Sequence, residues 1–203
     1  MITVIDLKIG NIASVGNALK SLMVDYVISD KFEDISNADK LIFPGVGNFF
    51  EAAKRLKTSG IDKILRNKVL MGKTPILGIC LGMQLLASYG EEGGGAEGLN
   101  LIQGKVAFHR ASTFPLRLPH IGWNDVNGSD LKLFDSIKNG SCFYFVHSYE
   151  VLPLENVQIA YCNYGVDFAA AVQKDNIIGV QFHPEKSQEA GLKILKNFCE
   201  GNF

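Results

Sequence analysis

The chain has 203 residues, with 20 Lys and Arg against 21 Asp and Glu and a formal net charge of -1. Its scattered cations argue against a nucleic-acid binder, because phosphate contacts need clustered basic side chains. A hydrophobic content of 47% with 20% charged residues excludes a disordered or fibrous chain and suits a single domain over residues 1–203, long enough to bury about 70% of its unfolded surface.

In chain order, ITVID at 2–6 reads as a buried strand with no basic leader before it, so no secretory signal is expected. Asn11 is placed to cap a helix whose apolar residues Ile12, Val15, Leu19, Leu22 and Met23 recur at helical spacing. YVIS at 26–29 and KLIFPG at 40–45 are strand-like, and helical patterns follow to about Leu56 and again from Ile61 to Met71. PILGIC at 75–80 predicts a fourth strand, and LGMQLLASYG at 81–90 a helix leaving it directly. Strands alternating with helices imply a parallel sheet covered on both faces. EEGGGAEG at 91–98 reads as a surface loop.

From Lys105 the pattern turns to strands: KVAFH, CFYFVHSY, VQIAYCNY, FAAAVQ and IIGVQFH, with turn signals at Asn127-Gly128 and Asn139-Gly140. A last helix over about Ser187 to Cys199 places Leu192, Leu195, Phe198 and Cys199 on one face. The expected fold is α/β: a flavodoxin-like open, mostly parallel sheet with helices on both faces and an added antiparallel β portion in the C-terminal half. No apolar run reaches the ~20 residues of a bilayer span. The cysteines at 80, 142, 162 and 199 have no metal or redox spacing. A cytosolic chain with reduced thiols is expected.

The strongest chemical signal is Gly78-Ile79-Cys80-Leu81-Gly82, between a buried strand and a helix. Small residues flanking a nucleophile allow the tight strand-to-helix turn that exposes it, and the N–H of Leu81 is then aimed where an oxyanion would form. A buried Cys in a glycine-loosened turn is the competing reading. Among the four histidines, His183 is placed best, at the end of the apolar run GVQFH stopped by Pro184. Glu185, two residues on, is positioned to orient its ring as the third member of a triad.

FPGVGNF at 43–49 lacks the third glycine of a dinucleotide fingerprint and the Lys of a P-loop. It reads as a strand-end glycine turn whose N–H groups suit a carboxylate or an oxyanion. His183 and Glu185 also form H-x-E, but only Cys199 follows, so neither metal nor cofactor is expected. His147 fits a core strand ending in a satisfied histidine. Trp123, the only tryptophan, fits either a core anchor or an interface.

GNIASVGNAL, FPGVGNF, GICLGMQLL, EEGG, PHIGWN, YFVHSY and GVQFHPEKSQ together resemble the class I (triad) glutamine amidotransferases. Within them, the resemblance is to the glutaminase subunits of imidazole glycerol phosphate synthase in histidine biosynthesis. It implies Cys80 as nucleophile, His183 as general acid/base and Glu185 as its orienter. It further implies oxyanion donors from Leu81 and, after a peptide rearrangement, from Val46 and Gly47. Gln84, Glu92, His147, Ser148 and Tyr149 match positions that hold the substrate glutamine. Trp123, Asn124, Tyr144 and Lys186 match the face where a TIM-barrel cyclase subunit docks, in a heterodimer through which ammonia is channelled. Asp6-Leu7-Lys8 stands where the family usually has Asp-Tyr-Gly. The same chemistry feeding a sugar amidotransferase is the alternative reading.

Overall fold

The computed structural model describes residues 1–9, 12–113, 116–128 and 130–203, so Asn11, the expected helix cap, lies outside the described residues. The first half comprises β1 (Ile2–Ile5), α1 (Ile12–Ser21), β2 (Tyr26–Ser29), α2 (Phe32–Ser36), β3 (Lys40–Gly45), α3 (Phe49–Ser59), α4 (Ile61–Leu70), β4 (Ile76–Cys80) and α5 (Leu81–Leu85). The second half comprises β5 (Ala87–Gly90), β6 (Ala96–Glu97), β7 (Ile102–Phe108), β8 (His120–Asn127), β9 (Ser141–His147), β10 (Tyr149–Pro153), β11 (Gln158–Tyr164), β12 (Val166–Lys174), β13 (Ile177–Val180) and α6 (Gln188–Glu200).

A nine-stranded sheet runs β2-β1-β3-β4-β13-β12-β11-β8-β9. Strands β2 through β13 of that order are parallel, and β12, β11, β8 and β9 extend the sheet antiparallel. Side chains alternate across the parallel half, so each strand feeds two cores. Leu41 and Ile76 pack with Leu56, Leu65 and Val69 under α3 and α4, whereas Ile42 and Leu77 pack with Val15, Leu19, Ile194 and Phe198 under α1 and α6. Pro44, deep in the sheet, is tolerated because β1 pairs with β3 only as far as Ile42.

Local signals set the helix ends. The Asn48 side chain accepts from Glu51 N at 3.2 Å to cap α3, and Gly60, at φ 73°, ends it. The buried face of α6 is Gly191, Ile194, Leu195 and Phe198, and Leu192 and Cys199 flank it.

Three expectations are corrected. The helix after Cys80 stops at Leu85, because the carbonyls of Leu85 and Leu86 are taken by N–H groups of Leu99, Leu101 and Ile102. Residues 87–90 then form β5 of a second sheet, ordered β10-β7-β5-β6. The run 142–149 is split between the two sheets at Ser148. PHIGWN, not read as a strand, lies mostly in β8, paired along its length with β9. The two Asn-Gly signals close one excursion between those strands: Gly128 N donates to Asn139 Oδ1 at 3.0 Å and Gly140 N to Val126 O at 3.0 Å.

Candidate active site

Cys80 ends β4 and precedes α5, with its backbone at φ 54°, ψ -110°. That conformation is costly for a residue carrying a Cβ, and it is the one that turns a strand abruptly into a helix. The flanking glycines are required by close approach. A Cβ on Gly82 would lie 1.7 Å from the carbonyl oxygen of Phe43, and one on Gly78 would lie 2.7 Å from Met83 N.

His183 lies three residues past β13, whose Val180 pairs with Ile79 of β4, so both candidate catalytic side chains leave the same sheet edge on adjacent strands. The His183 Nδ1–H donates to Glu185 Oε1 at 2.8 Å, with both side chains buried. The expected pairing is present, although the chain between them is a 3₁₀ turn (Pro184–Lys186) rather than extended strand. His183 Nε2 is buried and has no hydrogen-bond partner among the described residues, and the Cys80 thiol lies 3.9 Å from Val146 O. Burial pulls the imidazole pKa down, but the Cys80 and Glu185 interactions outweigh it and push it up to about 9.

A cavity of about 250 Å³ lies over Cys80. Its lining includes Val46, Gly47 and Leu81, the expected oxyanion donors, and Gln84, Glu92, His147, Ser148 and Tyr149, the expected substrate contacts. Gly47 is at φ 106° with nothing within 4 Å of a Cβ position, so its peptide has room to turn. Among the described residues Glu92 is the one acid in the lining; its Oε2 accepts from Phe49 N at 2.6 Å, at the start of α3. Burial, and Glu92 after it, raise the pKa of the Tyr149 phenol. A smaller cavity of about 20 Å³ is lined by His183, Glu185 and Lys186, and Val46 borders both.

His147 has both ring nitrogens engaged: Nδ1 with Tyr149 O at 2.9 Å and Nε2 with His120 Nδ1 at 3.1 Å. It is thus at once a satisfied core histidine and a wall of the cavity. Burial holds His147 near pKa 3 and His120 near 4, so both rings are neutral at pH 7 and neither competes with His183 as base. Burial also raises Cys162 to about 12 and Cys199 to about 11, while Asp125 raises the exposed Cys142. Among the described residues, no cluster of His, Cys, Asp or Glu is arranged to hold a metal ion.

Trp123 is 46% exposed and meets Tyr144 edge-on at 6.0 Å; Lys186 Nζ lies 5.7 Å over the Tyr144 ring, itself 6.5 Å from His183. Three of the four expected docking residues therefore share one patch beside the histidine. Asn124 does not join them: its Nδ2 donates to Asn163 O at 2.9 Å on β11. Lys8 folds back onto Asp6 at 2.7 Å and sits at φ 57°, the left-handed conformation for which the family's usual glycine is suited. Sequence reasoning missed Gln181 and His120. A glutamine inside the apolar run IIGVQFH was the available signal for the first; nothing marked the second.

The description of class-I glutamine amidotransferases matches residues 3–201. "Imidazole glycerol phosphate synthase subunit HisH 1" of Campylobacter jejuni (strain RM1221) is 46% identical, covering 98% of each chain. The HisH subunit of Chlorobaculum tepidum is 43% identical over 98% of this chain and 100% of that protein. Among solved structures, a glutamine amidotransferase crystal structure superposes with TM-score 0.76 at 21% identity, covering 97% of this chain and 98% of that one. PurLQS from Thermotoga maritima gives 0.68 at 18% identity, covering 97% and 96%. At those identities the structures share the fold.

Proposed function

The chain belongs to the class I glutamine amidotransferase family, and from that premise we propose that it hydrolyses glutamine at Cys80 and delivers the ammonia to a synthase subunit. Its function is that of the glutaminase subunit of imidazole glycerol phosphate synthase in histidine biosynthesis. The relatives' names favour this partner over sugar amidation. The observation that carries the site is the convergence of a strained Cys80, the His183–Glu185 pair and a cavity with a single acid.

The Cys80 thiol passes its proton to His183 Nε2 and attacks the carboxamide carbon of glutamine. The oxyanion takes N–H bonds from Leu81 and, once the Val46–Gly47 peptide turns, from that peptide. The Glu185 carboxylate on Nδ1 holds the imidazolium until the leaving nitrogen takes the Nε2 proton. Ammonia departs, the thioester remains, and water deprotonated by the same imidazole releases glutamate. Gln84 spends both amide hydrogens on the protein, to Tyr149 O and Gln181 Oε1, so its carbonyl oxygen is left to accept from the substrate ammonium, with Glu92 as countercharge.

Free ammonia is protonated in neutral water and loses its nucleophilicity, which favours a docked partner. The docking face is the Trp123, Tyr144 and Lys186 patch beside His183, the partner a TIM-barrel cyclase in a cytoplasmic heterodimer, and residues 1–203 act as one amidotransferase domain. Cys80→Ala tests the division of labour. Glutamine-dependent synthesis by the complex should be lost and ammonia-dependent synthesis retained; loss of both contradicts the reading.

A further inference from the structure

Gln181, one residue past β13, is fully buried, and its Nε2 lies 3.7 Å from Cys80 Sγ. The orientation of an amide is fixed by its network, and here one backbone carbonyl fixes it. Tyr149 O is met by His147 Nδ1 at 2.9 Å and by the Gln84 amide at 3.2 Å; a carbonyl only accepts, so both must donate. Gln84 therefore presents Nε2, which also reaches Gln181 at 3.1 Å, and Gln181 must receive that hydrogen on Oε1. Its own Nε2–H groups are then turned to the sulfur. Gln181 N donates to Ala170 O at 2.8 Å on β12, so the backbone beneath the amide is fixed as well.

We infer that Gln181 is a positioning residue for the nucleophile: its amide donates to the Cys80 sulfur, favours thiolate over thiol and fixes where the sulfur stands under the cavity. This rests on the reading of Cys80 as the nucleophile. A donor favours the anion because hydrogen bonds to a charged acceptor are the stronger ones. The other titratable groups around the thiol are His183 and Glu185 after β13, His147 from β9, Tyr149 from β10 and Glu92 across the cavity. All of them are retained when Gln181 alone is changed.

Gln181→Met keeps length and removes the donor. The full chain, unsubstituted and variant, is alkylated with iodoacetamide across pH, and each cysteine is read by peptide mass spectrometry. The Cys80 midpoint should rise by about one pH unit, equivalent to about 1.4 kcal/mol. Exposed Cys142, bonded to Asp125 at 2.9 Å, should not move. An unmoved Cys80 midpoint overturns the inference and leaves the nucleophile reading standing. If a glutamine-analogue chloroketone labels Cys80 of the unsubstituted chain no faster than Cys142, the nucleophile reading fails and the inference falls with it. Should the variant not fold, the Gln181 side-chain amide signals in 15N NMR should shift on Cys80→Ala; unshifted signals overturn the inference.

Discussion

Gly82→Ala is the sharpest test of the turn that presents the thiol. The new Cβ would lie 1.7 Å from Phe43 O and 2.8 Å from Phe43 C. Ordinary C–H to carbonyl contacts lie near ~3.3 Å, so β3 and α5 must part by roughly 1.5 Å. Neither side yields easily: Phe43 is fully buried and paired with Gly78, and the obstacle is backbone rather than a rotatable side chain. Overpacking of this kind costs ~1–3 kcal/mol or more, against a gain of only ~1 kcal/mol from the better helix propensity of Ala. A net loss of about 1 kcal/mol or more is expected in urea unfolding. The displacement also carries the Leu81 N–H away from the proposed oxyanion position, and an error of about 1 Å there costs on the order of 10²-fold in rate. Chloroketone labelling of Cys80 in the folded variant reads that second effect. Gly94→Ala, at φ 99° with open space around it, is the comparison, with a purely conformational cost of ~1–2 kcal/mol. A Gly82→Ala chain as stable as the parent, with Cys80 labelled at the parental rate, would refute the steric account.

Glu185→Gln keeps the shape but cannot hold the His183 Nδ1 proton as a carboxylate does; glutaminase kcat of the complex should fall ~10²–10⁴-fold, and a fall under tenfold would remove Glu185 from the machinery. Thermal unfolding should depend on pH in both directions. His147 and His120 have folded values near 3 and 4 against 6.5 unfolded, so the unfolded chain binds more protons below about pH 6.5 and stability falls from there toward about pH 3. His183 has the opposite sign: its contribution is in place below pH 6.5 and is lost as pH rises through about 9. A flat melting temperature between about pH 7 and 4.5 would contradict the buried neutral pair.

Where periodicity and pairing agree, the structure was legible in the sequence: β1, β3, β4, α4 and α6 stand close to where alternating or helical spacing placed them. Cys80 ends a strand between two glycines, His183 follows one before a proline and Glu185 stands in the 3₁₀ turn after it, which is why the sequence marks these three as candidates. The second sheet was not. Its strand β5 continues a helical pattern through Leu86 and becomes extended only because residues 98–106 return to pair with it. Ser148 likewise gives no local sign that the chain changes sheets there. Gln181 and His120 act through partners distant in sequence, Gln84 and His147, and no spacing rule joins such pairs.

Partner-dependent glutamine hydrolysis is the central claim. The direct measurement is glutamate release from glutamine by the purified chain, alone and with the histidine-pathway cyclase subunit and its nucleotide ligand. The account predicts feeble release by the chain alone, strong stimulation by the liganded partner, and none from Cys80→Ala under either condition. Full turnover without the partner, or stimulation that survives Cys80→Ala, would contradict it.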